Sequence, residues 1–176
     1  MTVVGVVVGN PRPKSRTLDV ALTVGRTFGA SVGNAPAGVD PVVDLAELAP
    51  LVFDYSSEPV RDAVQAARSC DVLVVASPTY KATYTGLLKA FLDWFSTTDL
   101  DGVVAVPVMV GAGAAHALAV EVHLRPLLVE IGATVPTRGL YVLESELAAL
   151  DGVIAAWMQV AEPALQRAVS GRPPAT

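Results

Sequence analysis

Three short runs dominated by β-branched and small apolar residues, at 3–8, 71–76 and 103–110, constrain this chain more than any other feature. None of them alternates polar with apolar residues. Each therefore reads as a strand buried on both faces, the kind found at the centre of a parallel sheet. Between them lie segments of helical spacing, and strands alternating with helices call for a parallel sheet covered on both sides.

The remaining elements follow from the same signals. A helix is expected from Thr17 to about Phe28, with Thr17 as its N-cap. Residues 31–41 carry Gly, Pro and Asn and should contain a turn before a short second strand at Val42–Asp44. Helices are expected over Glu58–Ser69 and Thr85–Phe95. Gly111 and Gly113 mark a turn into a helix spanning Ala114–Ile131, and a strand at Leu140–Val142 precedes a last helix over Ser145–Val169. No internal repeat is present, so residues 1–169 read as one domain, and 170–176 as a disordered tail.

Composition narrows the function classes. A net charge of −5 with no basic stripe argues against a nucleic-acid partner. The single cysteine, Cys70, excludes an internal disulfide and reads as a buried, inert thiol. No apolar stretch approaches membrane-spanning length, so a soluble, cytoplasmic protein is expected. His116 and His123 have no cysteine or carboxylate at metal-ligand spacing, and no metal site is expected. No Ser-His-Asp or Cys-His order and no GxSxG motif is visible, so no catalytic residue is assigned.

In open parallel sheets, ligands bind beyond the carboxyl ends of the strands, where strand order reverses. Three loops leave such ends. The first, Gly9 to Thr17, offers Asn10, Arg12, Lys14, Ser15, Arg16 and Thr17 just before a helix N-terminus. That combination suits a monophosphate, and a solvated turn is the plain alternative. The motif is neither GxGxxG nor a triphosphate-binding P-loop. The second loop, Ser77 to Gly86, pairs Tyr80 and Tyr84 with a run of backbone N–H groups around Thr79 to Ala82. Aromatic walls and aimed N–H groups suit a planar heterocycle, although such tyrosines also simply bridge core and surface. The third, Gly111 to His116, has small residues that let the backbone approach a flat ligand closely.

Taken together, Gly9 to Thr17, SPTYKATYTGLLKAFLD (77–93) and HALAVEVHLRPLL (116–128) resemble the flavodoxin-like NADPH-dependent FMN reductases. Within that family they are most similar to the reductase components of two-component sulfonate monooxygenase systems. The resemblance implies a doubly wound five-stranded parallel sheet in the order 2-1-3-4-5. It implies FMN and NADPH as ligands, with hydride passing from nicotinamide to flavin. It places the FMN phosphate on Asn10, Arg12, Ser15 and Thr17, and the ring on Pro78, Thr79, Tyr80, Lys81, Gly111, Ala112 and Gly113. Asn10 stands where the family commonly has Ser, Ala112 where look-alikes often have a second adjacent Gly, and Val122 where some sulfonate-system members carry Tyr. Lys14 and Arg16 are candidates for a nicotinamide 2′-phosphate.

The segment Gly86–Phe95 is apolar on nearly every face, and the surplus from Leu87, Phe91, Trp94 and Phe95 predicts a subunit interface. The resemblance likewise implies a homodimer or homotetramer, and a flavin-dependent monooxygenase as possible recipient of reduced FMN. Three other functions compete on the residues alone. They are a quinone, azo or metal reductase with tightly held FMN, a flavodoxin-like electron carrier, and an interaction protein that has lost FMN.

Overall fold

The five strands run parallel in the order β2-β1-β3-β4-β5, as expected. A computed structural model describes residues 2–32 and 38–171. Of the expected disordered tail, Ser170 is helical and Gly171 follows it as the helix cap, while residues 172–176, and residues 33–37 of the expected turn, lie outside the described residues. The strands are β1 (Val4–Val8), β2 (Val42–Asp44), β3 (Val72–Pro78), β4 (Val104–Gly111) and β5 (Leu140–Leu143). The helices are α1 (Arg16–Ser31), α2 (Glu58–Arg68), α3 (Gly86–Leu92), α4 (Arg125–Glu130) and α5 (Leu150–Ser170). Among the described residues, no helix is long and apolar enough to cross a membrane.

Every residue of β1, β3 and β4 is buried, because each strand feeds two cores. Val4, Val6 and Val8 join Val72, Val74, Val106 and Val108 under α1 and α5, with Val24, Phe28, Ile154 and Leu165 above them. Val7, Leu73, Val75 and Met109 face the opposite side, against Leu88, Phe91, Leu124 and Leu128. This period-two division explains why the strands lack polar residues: both faces lie under helices. Cys70 is fully buried, and its Sγ donates to the Ala66 carbonyl at 3.4 Å.

Three expectations need correction. Ser15, rather than Thr17, is the N-cap of α1: its Oγ accepts from the Leu18 N–H at 3.3 Å, while Thr17 is buried inside the first turn. The helix expected over 114–131 is broken into a 3₁₀ turn (Ala114–His116), a π turn (Val120–Leu124) and α4. Pro126 accounts for the π turn only, since it cannot donate to the Val122 carbonyl four residues earlier and its ring crowds that group. Finally, Phe91 is fully buried and Phe95 is 8% exposed within this one chain, so they offer no interface surface. The segment between β2 and α2 covers this region. Trp94 Nε1 donates to the Val52 carbonyl at 2.8 Å, and the Trp94 ring stacks on Tyr55 with centroids 4.9 Å apart.

Burial of Phe91 carries a stability prediction. Phe91→Ala should lower the free energy of unfolding by about 3–5 kcal/mol, the usual cost of emptying a filled aromatic core position. Urea unfolding followed by circular dichroism measures it, and a loss below about 1 kcal/mol would contradict the packing described.

Candidate functional site

Because all strands are parallel, the loops after β1, β3, β4 and β5 emerge on one edge of the sheet. The chain proceeds from β1 to β2 in one direction and from β3 to β4 in the other, so strand order reverses between β1 and β3. At that edge lies a polar cleft of about 440 Å³ lined by Asn10, Arg12, Pro13, Lys14, Ser15, Arg16, Thr17, Pro78, Tyr80, Val110 and Glu144.

The β1–α1 loop is held in shape by its own polar atoms. Asn10 is buried; its Oδ1 accepts from the Arg12 N–H at 3.0 Å and its Nδ2 donates to Thr17 Oγ1 at 3.2 Å. Asn10 therefore braces the loop. Lys14 takes a left-handed conformation (φ 51°), and its N–H donates to Asp44 Oδ2 at 3.0 Å, tying the loop to the end of β2. What remains unpartnered points to an anion. Helix geometry leaves the first-turn N–H groups without intrahelical acceptors, and only that of Leu18 is capped by Ser15. The N–H groups of Arg16 and Thr17 stay available at the positive end of a 16-residue helix. Arg12 and Lys14 are exposed and make no ion pair among the described residues.

The β3–α3 loop differs from expectation. Of the run of N–H groups at 79–82, two are engaged internally. Thr79 donates to the Val110 carbonyl at 2.7 Å, and Tyr80 donates to the Thr83 carbonyl at 2.9 Å. Lys81 (φ 51°) and Ala82 (φ 67°) form the two-residue tip of a tight turn closed by Tyr80 and Thr83. Two non-glycine residues in the left-handed region cost roughly 1–2 kcal/mol each. Their N–H groups have no acceptor among the described residues. Pro78 and Tyr80 form the apolar wall of the cleft, Tyr80 with 44% of its surface exposed.

In the β4 loop, Gly111 has no room for a side chain. A Cβ there would stand 2.0 Å from Tyr141 Oη and 3.0 Å from Thr79 Oγ1. The Tyr141 hydroxyl donates to the Gly113 carbonyl at 2.9 Å and so fixes the loop from β5. Thr79 Oγ1 is buried without a hydrogen-bond partner. Thr79, Lys81 and Gly111–Gly113 stand beside the cleft without lining it, and His116 is exposed on its 3₁₀ turn. Among the described residues no three His, Cys, Asp or Glu gather as a metal site would require.

The sequence reading missed Val110, Glu144, Tyr141 and Thr85. Glu144 and Tyr141 belong to β5 and the turn after it, which a parallel sheet also delivers to this edge. Thr85 caps α3, accepting from the Leu88 N–H at 3.1 Å, and its hydroxyl donates to the Gly9 carbonyl, joining the first two loops.

Comparison with known proteins places this geometry. Across residues 1–148 the chain matches the family described as NADPH-dependent FMN reductase. It is 33% identical over 93 residues to FMN reductase (NADPH) of Escherichia coli K12, covering 53% of this chain and 49% of that protein. It is 32% identical over 138 residues to NADH-dependent FMN reductase SfnF of Pseudomonas putida, covering 77% of this chain and 74% of SfnF. The chain spans about half the length of the Escherichia coli and Pseudomonas putida NADPH-type relatives it matches. Among solved structures, the apo form of the NADH:FMN oxidoreductase EMOB superimposes with a TM-score of 0.77 at 28% identity, covering 99% of this chain and 92% of that one. An oxidoreductase from Corynebacterium diphtheriae superimposes with a TM-score of 0.78 at 25% identity, covering 98% and 99%. With residues 1–148 matched, the chain belongs to the NADPH-dependent FMN reductase family.

Proposed function

We propose that this protein is an NAD(P)H-dependent FMN reductase whose residues 1–169 form one flavin-binding unit. The observation that carries the reading is the set of unpartnered donors at the N-terminus of α1, facing a cleft at the strand-order reversal. The donor set fits a terminal monophosphate: two helix N–H groups, the Ser15 and Thr17 hydroxyls, and the Arg12 guanidinium. The ring has a fitting wall in Pro78 and Tyr80. Gly111 is backed by the Tyr141 hydroxyl and Thr79 Oγ1, which leave no room for a side chain and set the path of the loop beside the cleft.

In this assignment Arg12, Ser15 and Thr17 hold the phosphate, and Asn10 orients Thr17 and the Arg12 backbone. Pro78, Thr79, Tyr80 and Lys81 border the ring on one side, and Gly111, Ala112 and Gly113 on the other. The N–H groups of Lys81 and Ala82, held outward by the strained turn, are the donors for its polar edge. The bound flavin supplies hydride-accepting chemistry, and the protein contributes orientation and a defined electrostatic setting. Relatives bear names with either NADPH or NADH, and we assign the donor as a reduced nicotinamide dinucleotide. The name of SfnF, NADH-dependent FMN reductase, makes FMN that relative's substrate, and we carry that role over to this chain. The reading extends to a cytoplasmic homodimer or homotetramer that hands reduced flavin to a flavin-dependent monooxygenase.

Two outcomes are expected. Nicotinamide oxidation by the purified protein should rise to saturation as free FMN is added; no oxidation despite FMN binding would instead indicate an electron carrier. Arg12→Ala should lose a charge-assisted phosphate contact of about 1.5–3 kcal/mol, weakening FMN by about tenfold or more in fluorescence titration. Unchanged FMN affinity in the folded variant would refute the phosphate assignment.

A further inference from the structure

One wall of the polar cleft carries a charge opposed to the anion the rest of it suits. Glu144 follows β5 directly and lines the cleft beside Arg12, Lys14 and Ser15. Its Oε2 lies 3.3 Å from Nη2 of Arg16, the first residue of α1. A carboxylate here competes with a phosphate for the helix end and for Arg16, one of the cations lining the cleft.

The pair is not explained as a stabilising bridge. The Arg16 and Glu144 side chains are 65% and 44% exposed, and ion pairs so open to water contribute little to folding. The backbone that carries Glu144 is nonetheless fixed. Two residues on, Glu146 turns its carboxylate back to accept from the Leu143 N–H at 2.9 Å, which pins the turn at the end of β5. Of the two carboxylates on this turn, one closes the backbone and the other is left at the cleft.

Resting on the reading of the cleft as the FMN phosphate site, we propose that Glu144 is a specificity-determining residue that limits how tightly the phosphate is held. Its carboxylate engages Arg16, withholding one cation, and repels a phosphate dianion. Both effects act on the phosphate and neither on the ring. A flavin that must leave as a diffusible product is thereby recognised by its phosphate without being retained by it.

The test uses the purified full chain and two probes, FMN and riboflavin, with dissociation constants read from quenching of flavin fluorescence. Glu144→Gln, which keeps size and removes charge, should bind FMN about fivefold more tightly, leave riboflavin unchanged and slow FMN dissociation to match. The gain should shrink as salt is raised. Glu144→Ala, which also removes any amide contact with Arg16, should move FMN affinity in the same direction. Unchanged or weaker FMN binding in both variants overturns the proposal. It leaves the cleft reading standing if the native protein still prefers FMN to riboflavin. Equal binding of the two flavins by both the native protein and Glu144→Gln overturns the cleft reading and the proposal with it.

Discussion

The side-chain hydroxyl of Thr85 donates to the carbonyl of Gly9, and the arrangement of the whole ligand edge rests on that contact. Thr85 is buried, its N–H donates to Ser77 Oγ at 3.0 Å, and it caps α3 through Leu88. Gly9 meanwhile donates to the Ala76 carbonyl at 2.8 Å, closing the β1–β3 ladder. Only glycine permits this, because a Cβ at position 9 would stand 2.4 Å from that of Leu88. One residue thus ends β1, pairs with β3 and backs α3, so the first two loops are positioned against each other. Removing the Thr85 hydroxyl would leave a buried carbonyl unpaired, which costs more than an average hydrogen bond contributes.

Around that junction most polar atoms serve the loops themselves. Asn10 and Asp44 brace the β1–α1 loop, Ser77 links β3 to α3, and Tyr141 fixes the loop after β4. The few donors left over are therefore held in place before any ligand arrives, which reduces the ordering cost of binding. The turn at Lys81 and Ala82 belongs to the same design. Two left-handed non-glycine residues persist because neighbouring hydrogen bonds hold the chain there, and strain of this kind concentrates at functional sites.

The sheet was legible in the sequence wherever burial on both faces erased alternation. Residues 3–8, 71–76 and 103–110 could be little else than central strands, and β1, β3 and β4 lie within or close to them. Helix ends were harder to read. Ser15 and Thr17 are both hydroxyl residues at a helix start, and only the backbone geometry selects Ser15 as the cap. The break-up of the segment after residue 113 was not legible, because apolar periodicity runs through it. The apolar surplus of Gly86–Phe95 signalled burial without saying what covers it; here the segment around Val52 and Tyr55 does part of that work. The grouping of the β1–α1 loop residues at one cleft was readable because they sit together in sequence. Glu144 and Tyr141 were not, because the fold brings them to the edge from more than 120 residues away.

The central claim is that α1 and its loop hold a phosphate while the turn at Lys81 and Ala82 meets the ring. The most direct measurement is an amide ¹⁵N–¹H NMR titration of the labelled protein with FMN and, separately, with riboflavin. The account predicts that Arg16 and Thr17 shift with FMN alone, and that Lys81 and Ala82 shift with both flavins. Perturbations confined to the apolar groove between Pro136 and Ala164, with α1 unmoved, would contradict it.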